Sequence, residues 1–250
     1  MVKFYPSLSH DLQTWALAQP IFFISSAPLT GSHVNLSPKG LPSTTFTIFS
    51  PTSCGYIDAT GSGAETISHL YENRRATIMF CSFSASPRIL RLFCTGRVVE
   101  WDRPEFDALL SKMGKRRIDG ARAVLVFDIF KVQTSCGYGV PKISSSPQGD
   151  EGRAFEDRET LGHWASVKVE RNEIAAYQVM NNACSLDGLP GLKSARRDGG
   201  EVLAVGDVMA GGRRVWGQKG ALGVGLAIGM AVVLLAQYST SFLGWAFLPE

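Results

Sequence analysis

The chain has 250 residues, of which 45% are hydrophobic and 19% are charged, and its formal net charge is +3. This length allows one large domain or two small ones. The small net charge, with no basic stripe between aromatic residues, excludes a dedicated nucleic-acid-binding protein. The five cysteines include no CxxC pair, which argues against a metal site or a disulfide framework and favours a reducing compartment.

Short β-rich runs separated by turn residues occupy the first half of the chain. We predict strands over residues 21–26, 33–37, 44–49, 56–59, 76–83, 89–100 and 123–134. Helices are predicted over residues 9–18, 64–71 and 103–115, with one or two more between residues 161 and 180. This spacing, with only short helices between strands, predicts a mainly β (α+β) fold: a barrel of about six strands with flanking helices, not a doubly wound sheet.

The C-terminal tail differs from the rest, because residues 220–248 contain no charged side chain. This stretch is longer than the roughly 20 residues that a helix needs to cross a bilayer. We therefore predict one C-terminal transmembrane helix there, with a buried core helix as the alternative. A polar, basic linker over residues 194–219 would join it to a domain formed by residues 1–193.

The charges around this tail predict an orientation. Arg213, Arg214 and Lys219 precede the apolar stretch, and only Glu250 follows it. By the positive-inside rule, the N-terminal domain of such a tail-anchored protein lies in the cytosol. The membrane would be that of the endoplasmic reticulum or the mitochondrial outer membrane.

Six stretches are more specific than their composition. They are FISSAPL at 23–29, HVNLSPKG at 33–40, DATGSGAETI at 58–67, PRILR followed by GRV within 87–98, SCGYGVP at 135–141, and NN followed by SLDGLPGL within 181–192. In this order they resemble the pyridoxamine 5′-phosphate oxidase-like family, which has the FMN-binding split-barrel fold. The resemblance covers residues 1 to about 193 and implies a homodimer that holds FMN at its subunit interface.

A flavin phosphate needs backbone N–H donors, hydroxyl groups and a cation, and the ring needs backbone groups along a strand edge. The candidates are Thr60, Gly61 and Ser62 for the phosphate, Lys39, Arg88 and Arg91 as cations, and His33, Val34, Asn35, Leu36 and Ser37 for the ring. Strand alternation places Arg88 and Arg91 on opposite faces, so we expect only Arg91 to reach the phosphate. Alternatively, the glycines only form a turn and the arginines pair with Glu100 or Asp102.

One departure from the family bears on activity. The true oxidases follow this Gly-Ser with an Arg-Lys pair that binds the phosphate, whereas this chain has Gly63 and Ala64. Charge-assisted hydrogen bonds contribute roughly 1.5–3 kcal/mol each, and Glu65 would weaken binding further if its carboxylate faces the site. The departure argues against pyridoxamine 5′-phosphate oxidase activity. His33 and His69 have no partners for a catalytic triad, so no catalytic residue is assigned.

Three functions fit these features. The first is an FMN-dependent oxidoreductase, in which the flavin supplies the redox chemistry and the protein needs no strong acid or base. The second is a non-catalytic protein that binds a flavin or another small planar ligand. The third is a membrane-tethered interaction scaffold with a degenerate site, since a fold does not determine a function. The sequence does not identify a substrate.

Overall fold

The computed structural model describes residues 2–144, 155–217, 223 and 225–233. It divides the chain into two compact units, Met1–Leu161 and Gly162–Glu250, whereas the sequence predicts one domain up to residue 193.

The first unit is built around one antiparallel sheet of eight strands. The strands are β1 (Lys3–Tyr5), β2 (Ile21–Ser26), β3 (Asn35–Gly40), β4 (Phe46–Ser50), β5 (Ser53–Ala59), β6 (Arg75–Cys81), β7 (Ile89–Glu100) and β8 (Ala121–Ser135). Their order is β3-β2-β6-β7-β8-β5-β4, and β1 pairs with the far end of β8. Two short strands, β9 (Lys142–Ile143) and β10 (Phe155–Glu156), form a separate pair.

Four helices flank this sheet: α1 (His10–Leu17), α2 (Pro42–Thr45), α3 (Glu65–Glu72) and α4 (Glu105–Met113). The side chain of Ser9 caps α1 by accepting a hydrogen bond from the backbone N–H of Leu12. A curled antiparallel sheet with flanking helices confirms the predicted barrel-type fold, although β1 was not predicted.

The core of the sheet is aromatic. Phe22, Phe46, Tyr56 and Phe80 are fully buried and pack edge-on or tilted, with ring centroids 5.1–5.7 Å apart. Such contacts add to the free energy gained by burying the rings. Phe22 and Ile24 point inward from β2, whose side chains alternate between buried and half-buried positions.

The same alternation orders β7. Leu90 and Leu92 are buried in the core, while Ile89 and Arg91 face outward. This is the arrangement that the sequence predicts for these four residues. It follows from the two-residue repeat of a strand that has one face on a core.

The described part of the second unit contains four helices: α5 (Glu159–Glu170), which begins three residues before the unit, α6 (Ile174–Asn182), α7 (Lys193–Asp198) and α8 (Leu203–Gly217). Helices α7 and α8 occupy the region predicted as a linker. Arg196, only 3% exposed, donates to both carboxylate oxygens of Glu201 at 2.8 and 2.9 Å and to Asp207 at 2.8 Å. Within the predicted polar, basic linker, Arg196 is thus paired with two carboxylates in a folded segment.

Most of the predicted transmembrane segment, residues 220–248, lies outside the described residues. In the part of the chain that the structure describes, no helix combines the length and the apolar composition needed to cross a membrane.

Candidate functional site

A buried carboxylate lies where the two edges of the curled sheet approach each other. Asp58 on β5 is 2% exposed. Its Oδ2 accepts from Arg122 Nε on the neighbouring β8 at 2.7 Å, and its Oδ1 accepts from Lys39 Nζ on the edge strand β3 at 3.2 Å. Two cations share one carboxylate, so this cluster of Lys39, Asp58 and Arg122 carries a net positive charge.

Tyr56 lies two residues before Asp58 and is fully buried. Among the described residues, its hydroxyl is the one buried side-chain polar atom that has no hydrogen-bond partner. Lys39 Nζ lies 5.7 Å from the centre of its ring. Burial, followed by the charge of Asp58, raises the pKa of Tyr56 well above its usual value, while Thr66 and Arg122 act in the opposite direction. A buried hydroxyl without a partner costs free energy, so it favours a ligand that supplies one.

A polar network fixes β3 against α3. Asn35 donates its amide to Ser26 Oγ at 3.3 Å and to Thr66 Oγ1 at 3.0 Å, and accepts from Ser37 Oγ at 2.9 Å. Ser26 Oγ also lies 2.9 Å from Nδ1 of His69. The side chains of Asn35 and Ser37 are therefore already engaged.

Unlike these side chains, one backbone edge of β3 is not engaged. Within the described residues, β3 is an edge strand that pairs only with β2. Its outer edge offers N–H and C=O groups to a planar molecule. On its outward face, Leu36 is 62% exposed, and Val34, just before the strand, is 73% exposed. His33 is also exposed in the preceding loop.

The loop from Thr60 to Gly63 connects β5 to α3. Thr60 donates from its N–H and from its hydroxyl to the carbonyl of Gly120, at 2.7 and 2.8 Å. Nothing lies within 4 Å of the position that a Cβ would take at Gly61, and the hydroxyl of Ser62 bonds to no described residue. The loop thus leaves Gly61 and Ser62 open to an anion, whereas the polar groups of Thr60 are engaged.

Glu65, the first residue of α3, folds back over this loop. A Cβ placed at Gly63 would collide with Glu65 Oε2 and lie 3.0 Å from Oε1. No side chain caps α3. The carboxylate of Glu65 forms no hydrogen bond or ion pair with the described residues, so its charge at the loop is uncompensated by direct contact.

Arg91 contacts β8 near the end opposite to this loop. It donates to Gln133 Oε1 at 3.4 Å and pairs with Gln133 in the β7–β8 register, whereas Ala59 pairs with Ala121. Across the sheet, Arg91 lies in one row with Met79 on β6, Phe23 on β2 and Pro38 on β3.

Arg88 is also at the far end of β8. Its guanidinium stacks on the ring of Trp15 at 5.5 Å. It lines a cleft of about 380 Å³ with Lys3, Asp11 and Cys136 among its other walls. The loop after β8 fixes this wall, because a Cβ at Gly137 would lie 2.7 Å from the backbone nitrogen of Arg88.

The structure thus brings together part of the predicted site and adds to it. Three predicted residues lie near the β5–α3 loop: Asn35, Ser37 and Lys39. Arg88 instead contacts the ring of Trp15, and Arg91 contacts Gln133. Sequence reasoning missed five contributors: Ser26, Tyr56, Asp58, Thr66 and Arg122. The acidic residue Asp58 inside the otherwise apolar strand predicted over residues 56–59 could have indicated this cluster, because a buried carboxylate requires a cation nearby.

The assembled groups bind and orient more than they catalyse. The cations Lys39 and Arg122, the Asp58 carboxylate and the edge of β3 lie beside a phenol whose ring packs in the aromatic core. Among the described residues, no cluster of three metal-binding side chains occurs. Such a site suits a bound group that brings its own chemistry.

Comparison with known proteins agrees with the fold. A family model described as pyridoxamine 5′-phosphate oxidase matches residues 11–136. Pyridoxamine 5′-phosphate oxidase family protein ustO of Aspergillus flavus is 49% identical over 241 residues, which cover 95% of this chain and 97% of that protein.

Solved structures are more distant. HupZ of Group A Streptococcus has a TM-score of 0.40 at 15% identity and covers 50% of this chain and 91% of its own. An FMN-binding protein from Syntrophomonas wolfei has a TM-score of 0.35 at 15% identity and covers 48% and 79%. These two similarities do not indicate a function.

Proposed function

Because this chain belongs to the pyridoxamine 5′-phosphate oxidase family, we propose that its first unit binds a flavin beside β3, β5 and α3 as an oxidoreductase cofactor. The observation that carries the proposal is the buried hydroxyl of Tyr56, which has no partner although it lies beside Lys39 and the Asp58 carboxylate. A bound flavin would supply electron or hydride transfer, which the side chains at this site do not offer.

The chain's residues would have separate tasks. The free edge of β3, held in place by the Asn35 network, would accept the ring's polar edge through backbone groups. Lys39 and Arg122 would place positive charge near the ring, and a cation there favours a flavin that has gained electrons. Gly61 and Ser62 would face the ribityl tail and its phosphate, where FMN carries one.

The same residues argue against pyridoxamine 5′-phosphate oxidation as the reaction. Gly63 and Ala64 stand where the true oxidases have their Arg-Lys pair, and the carboxylate of Glu65 lies over Gly63. The substrate we propose is therefore a different small molecule.

A purified sample of the full chain tests the proposal. We expect the visible absorbance of oxidised flavin after reconstitution with FMN or riboflavin, and its anaerobic bleaching by NADH or NADPH. Binding without bleaching would favour the non-catalytic alternative. A folded, colourless protein that takes up neither flavin would favour the scaffold alternative.

We further propose that the protein is a homodimer with the flavin between its subunits. Val34, Leu36 and Leu41 are each more than half exposed beside the proposed site, and a second chain would remove this apolar surface from water. Light scattering at micromolar concentration tests this: a monomer would contradict it.

Finally, we propose that residues 220–248 tether the protein to the endoplasmic reticulum or the mitochondrial outer membrane, with the first unit in the cytosol. The support is the absence of charge in this stretch and the basic residues Arg213, Arg214 and Lys219 before it. A chain lacking residues 216–250 should leave the membrane fraction. If it still resists extraction at alkaline pH, the tether lies elsewhere.

A further inference from the structure

The carboxylate of Glu65 lies where a flavin's phosphate would approach the β5–α3 loop. It is folded back over Gly63, whose missing side chain makes the space for it. It forms no ion pair with the described residues. Because glutamate at this position is free of partners, its charge acts directly on any anion that enters the loop.

From this geometry we infer that Glu65 determines ligand choice: the site takes a flavin with an uncharged tail, such as riboflavin, in preference to one with a phosphate. The inference rests on the proposed flavin binding and refines it. It does not depend on the ring site, because riboflavin and FMN carry the same ring and differ only in the phosphate.

The charges around the loop support this choice. Asp58 lies two residues before Thr60 and already accepts from both Lys39 and Arg122. With Glu65 counted, two cations are balanced by two carboxylates, so these four groups offer no net attraction to a phosphate dianion. Removing the charge of Glu65 would leave a net positive charge, which attracts the dianion.

Gly63 and Glu65 are connected sterically. Any side chain at residue 63 would meet the Glu65 carboxylate, whose carbon would lie 2.9 Å from the new Cβ. The φ angle of Gly63 is not in the left-handed region, so the backbone itself accepts other residues there. Gly63 therefore leaves room for the folded-back side chain of Glu65, and a larger residue at position 63 would displace that side chain.

Glu65→Gln tests the inference, because glutamine keeps the shape and removes the charge. Glu105→Gln is the matched control: Glu105 is likewise the first residue of a helix, α4, and is exposed. The full chain is titrated with FMN and with riboflavin by flavin fluorescence, at low and high salt, and circular dichroism verifies that each variant is folded.

We expect the wild type and Glu105→Gln to bind riboflavin at least as tightly as FMN. In Glu65→Gln, FMN binding should tighten about tenfold or more, while riboflavin binding changes less than about twofold. Added salt should weaken FMN binding by Glu65→Gln and have little effect on the wild type, since salt screens a net attraction.

An FMN-to-riboflavin affinity ratio that is the same in Glu65→Gln and wild type would overturn the inference and leave flavin binding standing. A wild type that binds FMN about tenfold more tightly than riboflavin would overturn it as well. Failure of every variant to bind either flavin would instead overturn the proposed function, and this inference with it.

Discussion

Lys39 Nζ lies 3.2 Å from Asp58 Oδ1, a contact that joins the edge strand β3 to β5, next to the opposite edge of the sheet. Arg122 completes the cluster from β8 at 2.7 Å. The same Lys39 ammonium lies 5.7 Å from the centre of the buried Tyr56 ring.

Replacing Asp58 with Asn should destabilise the first unit. The change leaves two cations without their carboxylate, and breaking a buried ion pair costs about 3–5 kcal/mol. Lys39 and Arg122 are 28% and 25% exposed, so water reaches them in part. We expect a loss of about 2–3 kcal/mol in the free energy of unfolding, measured by urea denaturation. Asp128→Asn, at an exposed position of β8, is the control and should be near neutral.

Tyr56→Phe separates folding from ligand binding. The variant removes a buried hydroxyl that has no partner, so the free energy of unfolding without flavin should stay the same or rise by up to about 1 kcal/mol. The stabilisation gained on adding flavin should shrink. A ligand-free variant that is clearly less stable than wild type would mean that the hydroxyl has a partner within the fold.

The same tyrosine predicts a dependence on pH. Burial, followed by the Asp58 charge, raises the pKa of Tyr56 well above its usual value. A raised pKa in the folded state contributes stability that is complete below the unfolded pKa and is lost as pH rises toward the folded pKa. From about pH 10 upward, wild type should therefore lose stability more steeply than Tyr56→Phe. Parallel curves for the two proteins would contradict the burial of this phenol.

Gly137→Ala should disturb the wall beside Arg88. Gly137 has a φ of 67°, and a Cβ there would lie 2.7 Å from the Arg88 nitrogen and 2.8 Å from its carbonyl carbon. We expect the free energy of unfolding to fall by about 1–3 kcal/mol, which is the usual cost of a strained backbone conformation. Gly139→Ala is a close control, because nothing lies within 4 Å of that position, and its melting temperature should match that of wild type.

Local sequence patterns predicted much of the fold because they act over short distances. The residues of β7 alternate as expected, and α3 (Glu65–Glu72) lies close to the predicted helix over residues 64–71. By contrast, β1 has only three residues and is held by its pairing with β8, more than a hundred residues away. A pairing between segments so far apart in the chain cannot be predicted from a local sequence pattern.

The site was harder to predict for the same reason. Asp58 meets Lys39 and Arg122 across sequence separations of 19 and 64 residues, so only the curled sheet brings the three together. For Arg91, alternation along the strand predicted the face, but its contact with Gln133 depends on the register between β7 and β8. The family resemblance identified the loop at Thr60–Ser62 as a candidate phosphate site. Only the structure showed which charged residues lie around this loop.

Equilibrium titration of the full-length wild type with riboflavin and FMN tests the central claim most directly. The account predicts saturable binding with one flavin per chain, weakened in Tyr56→Phe and unchanged in Asp128→Asn. If folded wild type binds neither flavin at concentrations up to about 1 mM, the assignment of a flavin to the site beside β3, β5 and α3 is contradicted.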